Sequence, residues 1–102
     1  MILMDYDSIP EALQTRLRVL ILAAIYNGEK DFNTLKEILS VTDGNLGVQL
    51  MKLEQYGCLF VIKTIEGKKS RTIYKISDYG KRIFSEYVNL LRKSVEGGNE
   101  EK

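Results

Sequence analysis

The sequence has no histidine and only one cysteine, Cys58, among its 102 residues. Without histidine, Ser–His and Cys–His nucleophile pairs are excluded, and so are nearly all zinc and iron–sulfur sites. One cysteine cannot form a disulfide within the chain, which is typical of a reducing, cytoplasmic location. Apolar residues flank Cys58, so we interpret it as a small buried hydrophobe, with a redox switch as the alternative. We expect no enzymatic activity, no cofactor and no metal site.

Long apolar runs are absent as well. The longest, residues 19–26, has eight residues, whereas a membrane-spanning helix needs about 20. The first residues carry no basic side chain and an acidic one follows at Asp5, so a signal peptide is not expected. With 44% hydrophobic and 28% charged residues, the chain should fold as one small domain. We expect this domain over residues 1–96 and a flexible tail over residues 97–102.

There is little net charge of either sign, because 15 basic residues oppose 14 acidic ones for a net charge of +1. The distribution along the chain is uneven, however. Residues 63–82 hold seven basic side chains and two acidic ones. A local basic stretch of this kind indicates a surface for an anionic partner such as a nucleic acid.

Apolar spacing predicts a long first helix. Ser8 is a suitable N-cap with Glu11 three residues later, as in a capping box, and Pro10 is tolerated in a first turn. We predict a helix that starts directly after Ser8 and runs to Asn27, where Gly28 would supply a left-handed stop. Because apolar residues lie on two opposite sides of this helix, we expect its second side to face another subunit.

Two short helices joined by a turn are predicted next. Asn33 should cap a helix over residues 34–39, and Thr42 should cap a third helix that ends at Tyr56 and is followed by Gly57. The third helix has apolar residues at positions i, i+4 and i+7 and a polar outer face. This is the pattern of a helix-turn-helix. The inward residues of the third helix are Leu46, Leu50 and Leu53.

The periodicity then changes to that of a β-hairpin. Residues 59–65 are rich in β-branched and aromatic side chains and are predicted to form a strand. A polar loop over residues 66–71 and a returning strand over residues 72–76 complete the hairpin. Ser77 is predicted to cap a final helix that runs to about Ser94.

Four segments in this predicted order carry a family resemblance. They are Asp-Phe-Asn-Thr-Leu-Lys at 31–36, Thr-Asp-Gly-Asn-Leu at 42–46, Leu-Glu-Gln-Tyr-Gly at 53–57, and Gly-Lys-Lys-Ser-Arg-Thr at 67–72 followed by Tyr-Lys-Ile-Ser at 74–77. Over about residues 12–92, the sequence resembles small single-domain winged-helix transcriptional regulators of the MarR/ArsR-like group. The resemblance implies an α+β, mainly helical fold, a winged helix-turn-helix with a three-helix core, a β-hairpin wing and a long C-terminal helix. It also implies a homodimer that binds double-stranded DNA.

The resemblance makes the third helix, about residues 42–56, the recognition helix for the DNA major groove. Asn and Gln can bond an adenine edge in two places, Asp can accept from cytosine, and an apolar tip can contact a thymine methyl. Gly44 and Gly47 are costly in a helix, which indicates close approach of DNA or of a neighbouring helix. The alternative is a solvated helix face. The predicted contacts are Thr42, Asp43, Gly44, Asn45, Val48, Gln49 and Lys52.

The hairpin, about residues 63–75, is the predicted basic wing. Three cations crowded at its loop repel one another, so an anionic partner explains them better than a solvated tip, which is the alternative. Thr34, near the start of the second helix, is a further phosphate candidate through its hydroxyl and the helix dipole. The predicted contacts of the wing and the backbone are Thr34, Lys63, Lys68, Lys69, Ser70 and Arg71.

The first and last helices are predicted to form the dimer, with the apolar arm of residues 1–6 crossing between the subunits. Two recognition helices would then face successive major grooves of a roughly palindromic site, about one helical turn apart. The predicted interface residues are Leu22, Tyr26, Phe84, Tyr87, Val88, Leu91 and Val95.

We therefore predict a cytoplasmic DNA-binding transcriptional regulator, most simply a repressor, with no membrane partner. Relatives often carry Ser-Arg-His-like residues after the Asn-Leu pair, whereas this chain has Gly-Val-Gln at 47–49. That difference supports an alternative, a winged helix that binds other proteins and has no DNA affinity of its own. A regulator that also senses a small molecule or an oxidant is a third hypothesis.

Overall fold

Four α-helices and three β-strands, in the order α1, β1, α2, α3, β2, β3 and α4, form the part of the chain that the computed structural model describes, residues 6–100. The helices are α1 (Arg16–Ile25), α2 (Phe32–Leu39), α3 (Asp43–Gln55) and α4 (Asp78–Glu100), and the strands are β1 (Lys30–Asp31), β2 (Leu59–Glu66) and β3 (Lys69–Ile76). This order confirms the predicted winged helix-turn-helix. None of the helices between residues 6 and 100 combines the length and the apolar character of a membrane span. Residues 1–5 of the predicted arm lie outside the described residues.

The first helix is shorter than predicted. It begins at Arg16 rather than directly after Ser8, and 3-10 turns at Tyr6–Ser8 and Glu11–Leu13 precede it. The guanidinium of Arg18 donates to the backbone oxygens of Glu11 and Ala12, at 2.9 Å each, and these are oxygens that a continuous helix would use for its own amides. At its other end α1 stops at Ile25, and the amide of Gly28 donates to the Ile25 oxygen without the positive φ predicted for this glycine.

The helix-turn-helix forms with one change of cap. Asp31, rather than Asn33, caps α2: its carboxylate accepts from the amide of Thr34 at 2.8 Å, so the helix starts at Phe32. The cap of α3 is confirmed, because the hydroxyl oxygen of Thr42 accepts from the amide of Asn45 at 3.2 Å. Gly57 follows α3 with a φ of +78° and supplies the left-handed residue predicted there.

The sheet has the strand order β1–β3–β2, with both pairs antiparallel, so β2 is an edge strand. Strands β2 and β3 pair from Leu59 with Ile76 to Glu66 with Lys69. Their turn therefore has only two residues, and Gly67 occupies its first position with a φ of +64°, as tight hairpins prefer. The predicted loop over residues 66–71 is correspondingly shorter, and Ser70 and Arg71 belong to β3.

The start of α4 is packed tightly against the turn that follows α3. The hydroxyl of Ser77 accepts from the amide of Gly80 at 3.0 Å, which confirms it as the cap, and donates to the backbone oxygen of Gly57 at 2.6 Å. A β-carbon on Gly80 would lie 2.2 Å from the backbone oxygen of Cys58. The helix runs to Glu100, so its last four residues fall within the predicted tail.

One hydrophobic core holds these elements together. Its fully buried members include Ile21, Leu22 and Ile25 of α1, and the predicted inward residues Leu46, Leu50 and Leu53 of α3. Cys58 is also fully buried, as expected for a small hydrophobe. Burial raises the pKa of its thiol, which disfavours the reactive thiolate.

Candidate nucleic-acid interface

The N-terminal half of α3 presents an outer face to solvent. Leu46, Leu50 and Leu53 fill one side of the helix, so the residues between them point away from the core. A β-carbon at Gly44 or Gly47 would meet no atom within 4 Å. A neighbouring helix was one of the two explanations for these glycines. No such helix lies close to them among the described residues. The exposed members of the predicted contact set are Thr42, Asp43, Gly44, Asn45, Val48 and Lys52.

The charge on this face is nearly balanced. Asp43 accepts from the ammonium group of Lys36 on α2 at 2.7 Å, although both side chains remain largely exposed. Sequence reasoning missed Lys36, because only the packing of α2 beside α3 brings it to this surface. Further along α3, Lys52 and Glu54 are exposed, and so is Met51. The helix therefore offers polar and apolar groups rather than a cluster of cations.

Gln49 does not lie freely on the outer face as predicted. It is half-buried, and its side-chain oxygen accepts from Arg18 at 2.8 Å. Arg18 itself is 5% exposed and lies on α1. The separation of 31 residues between the two explains why periodicity along α3 gave no signal for this contact.

A groove of about 620 Å³ runs between α3 and the hairpin. Lys63 lies on its hairpin wall and Glu54 on its helix wall. The phenol of Tyr74 has its pKa raised by burial and, secondarily, by the carboxylate of Glu54. The groove thus carries charges of both signs. Its lining residues are Gly47, Leu50, Met51, Glu54, Val61, Lys63, Thr72 and Tyr74.

The tip of the hairpin is basic and exposed. Lys68 lies in the two-residue turn, and Lys69 and Ser70 open β3, all with exposed side chains. No ion pair between residues 7 and 96 involves Lys63, Lys68 or Lys69. These three lysines are therefore available to an anionic partner.

Arg71 differs from the other cations of the wing. It lies in β3 rather than in the loop, and its guanidinium donates to the carboxylate of Asp31 at 2.9 Å. This ion pair connects the hairpin to the start of α2. The predicted place of Arg71 in the hairpin loop is therefore wrong, whereas its contact with DNA stays a prediction.

The N-terminus of α2 already holds a carboxylate. Both the amide and the hydroxyl of Thr34 bond to Asp31. An intramolecular anion thus occupies the position predicted for a phosphate on Thr34, and we do not retain that contact. The bonds from Thr34, followed by the bond from Arg71, lower the pKa of Asp31 from 3.8 to about 2.

Replacing Asp31 by alanine should lower the free energy of unfolding by about 1–2 kcal/mol at pH 7. Because the folded-state pKa is depressed, this stabilisation is complete above about pH 4 and disappears as the pH falls towards 2. Urea unfolding at pH 7, 4 and 2.5 measures it. Asp43→Ala, which breaks an exposed ion pair, is the matched control and should have a smaller effect. A difference between D31A and the native protein that did not change with pH would contradict the prediction.

The predicted dimer residues divide into two groups. Leu22 is fully buried within its own chain, so its assignment to the interface is wrong. Tyr26 packs on Phe84 with ring centroids 5.5 Å apart, and its hydroxyl bonds to Ser85 at 2.6 Å. These two aromatic side chains therefore join α1 to α4 inside one chain. The other four predicted residues lie on α4 and remain accessible to solvent. Tyr87 is half-buried, and Val88, Leu91 and Val95 are exposed.

Comparison with known proteins agrees with this architecture. Residues 15–95 match the family of winged helix DNA-binding domains. An uncharacterized protein of Methanocaldococcus jannaschii is 42% identical over 84 aligned residues, and the match covers 78% of this chain and 91% of that protein.

Solved structures that share the fold include those of HypR and PadR. The redox regulator HypR in its reduced form superimposes with a TM-score of 0.72 at 20% identity, over 94% of this chain and 93% of HypR. Bacillus subtilis PadR in complex with operator DNA gives a TM-score of 0.66 at 21% identity. That match covers 72% of this chain and 46% of PadR. The family match extends over both the helix-turn-helix and the hairpin, and we conclude that the chain belongs to the winged helix DNA-binding domain family.

Proposed function

We propose that this protein is a transcriptional regulator that binds a roughly palindromic DNA site as a homodimer and represses by occupying a promoter. In this proposal α3 enters the major groove and presents Asn45 and Val48 to base edges. Lys63, Lys68 and Lys69 contact phosphates and fix the position of the protein on the duplex.

The observation that supports the proposal is that two exposed surfaces lie side by side. The outer face of α3 has no covering element between residues 7 and 96, and the hairpin beside it holds the three unpaired lysines. An α-helix fits the major groove, which is about 12 Å wide. With α3 there, the groove lined by Lys63 and Thr72 would face the adjacent phosphate backbone.

A titration against random-sequence duplex DNA at several salt concentrations tests DNA binding directly. Fluorescence anisotropy should show affinity that falls with salt, with a log–log slope of roughly −3 to −6 because several counterions are released per dimer. Absence of binding at about 50 mM salt, where such contacts are strong, would contradict the proposal.

The dimer part of the proposal rests on the unpartnered face of α4. Val88, Leu91 and Val95 recur at helical spacing and stay exposed, as does Leu20 of α1. The radius of gyration is 15.9 Å, whereas a compact chain of this length has about 13 Å. Much of α4 therefore extends beyond the core, with an apolar side that a second copy would cover.

Sedimentation equilibrium at micromolar concentration should give twice the chain mass of 11.7 kDa. Leu91→Glu should shift the mass to that of one chain, because it places a charge in the proposed apolar contact. Val48→Glu introduces the same charge on α3 and should leave the dimer intact. A native protein that sediments as a single chain would refute the dimer without affecting DNA contact by one subunit.

A second function is favoured by the composition of α3. Its outer surface holds the exposed apolar residues Val48 and Met51 together with the acidic Glu54. These groups suit a protein partner better than a polyanion. Capture of a partner by the native chain that is lost in Val48→Asp and Met51→Asp, together with no DNA binding at low salt, would support this alternative.

A further inference from the structure

Arg18 is a buried cation whose partners are all neutral groups. Its Nε donates to the backbone oxygen of Ala12 and one Nη to that of Glu11, each at 2.9 Å. The other Nη donates to the side-chain oxygen of Gln49 at 2.8 Å, and the guanidinium stacks over the ring of Tyr56 at 5.5 Å. Arg18 thus joins the turn before α1 to the recognition helix.

This contact fixes which end of the Gln49 amide faces outwards. A guanidinium has donors only, so it can accept nothing from an amide nitrogen. Rotating the amide would set two donors against each other and leave one N–H group of the buried guanidinium without an acceptor, which is unfavourable. Arg18 is 5% exposed, so the oxygen of Gln49 that it holds is turned towards the interior, and the NH₂ group is the end of the amide that faces an external ligand.

This orientation changes what Gln49 can recognise. Glutamine reads adenine in two places by accepting from N6 and donating to N7, which requires both ends of the amide. We infer that Arg18 holds Gln49 as a donor-only group, so that Gln49 contacts a hydrogen-bond acceptor on DNA, a phosphate oxygen or the acceptor edge of guanine or thymine, and does not select adenine. The inference rests on the proposed DNA-binding function and makes Arg18 a positioning residue for it.

Two variants of Gln49 distinguish its hydrogen bond with Arg18 from its contact with DNA. Gln49→Glu keeps an acceptor for Arg18 but has no donor for DNA, and Gln49→Met has neither. Without DNA, Q49M should melt about 5 °C lower than the native protein, and Q49E should melt at the native temperature or above because its bond to Arg18 is charge-assisted. Equal melting temperatures for Q49M and the native protein would show that Arg18 does not hold the amide.

With DNA, both variants should bind about tenfold more weakly than the native protein. Gln55→Glu, the same amide-to-carboxylate change at the exposed end of α3, controls for added negative charge and should change affinity less. Sites selected from a random duplex pool distinguish the two acceptors. If the selected base preferences are the same in the native protein, Q49E and Q49M, Gln49 contacts a phosphate. If a preference for guanine or thymine at one position is lost in both variants, Gln49 contacts a base edge.

Two outcomes would overturn the inference. One is an adenine selected by the native protein and lost in both variants, because this would require the amide oxygen to face the DNA rather than Arg18. The other is native affinity in both variants. Failure of the native protein to bind any DNA would instead count against the proposed function, and the melting temperatures would still test the Arg18–Gln49 contact.

Discussion

Gly80→Ala is expected to lower the free energy of unfolding by about 3 kcal/mol. The added methyl group would lie 2.2 Å from the backbone oxygen of Cys58, a distance at which some part of the backbone must move. That oxygen also accepts from the amide of Ser77 at 2.9 Å. Because the obstacle is backbone in a bonded turn, relief of the clash requires α4 to separate from the turn after α3. Urea unfolding of the purified variant measures the loss.

Gly47→Ala is the matched control for this substitution. It also replaces a helical glycine by alanine, but its β-carbon would meet no atom within 4 Å. Removal of the glycine should therefore stabilise the helix by about 1 kcal/mol. If G80A and G47A changed stability in the same direction, the close approach of α4 to Cys58 would be refuted.

Combined replacement of Lys68 and Lys69 by alanine is expected to weaken DNA binding roughly a hundredfold at 100 mM salt. A dimer would lose four phosphate contacts, so the log–log salt slope should become shallower by about two to four. The loss should be nearly the same for every sequence, because phosphate contacts carry no base information. Anisotropy titrations with two unrelated duplexes at several salt concentrations measure both effects.

The control for the wing variant removes the same charge elsewhere. Lys81 and Lys93 are exposed on α4, and their double replacement by alanine should leave the slope nearly unchanged. The wing variant keeps Arg71, because loss of Arg71 would also break the ion pair with Asp31. If both double variants bound DNA equally, the wing would not be a contact surface.

Signals confined to a few neighbouring residues were sufficient to predict much of this fold. Thr42 and Ser77 cap their helices by accepting from amides three residues further along the chain. Gly57 follows α3 in a left-handed conformation of its own backbone. The bounds of α3 and the presence of the two hairpin strands follow from such local chemistry, although β3 begins at Lys69 rather than at residue 72. The exposed lysines of the wing tip belong to the same class, since a turn between two strands is exposed in almost any packing.

Contacts between distant residues account for what could not be predicted. Arg18 reaches Gln49 across 31 residues, and Arg71 reaches Asp31 across 40. The first contact draws the side chain of Gln49 away from the outer face of α3, and the second gives Arg71 a structural partner. Leu22 illustrates the same limit, because an apolar position on a helix does not reveal whether its own chain or another covers it. Only packing decides this, and here it buries Leu22 in the core.

The position of β2 at the edge of the sheet has a consequence for the free protein in solution. An edge strand has unpaired backbone donors and acceptors that can add a strand from another molecule, the first step of aggregation. On the outer face of β2, Phe60 is 58% exposed and Ile62 is 38% exposed. Exposed apolar side chains on a strand favour this kind of association between molecules. Lys63 follows them directly, and an exposed charge at an edge opposes sheet extension. The same lysine that would meet a phosphate in the complex therefore helps to keep the free chain soluble.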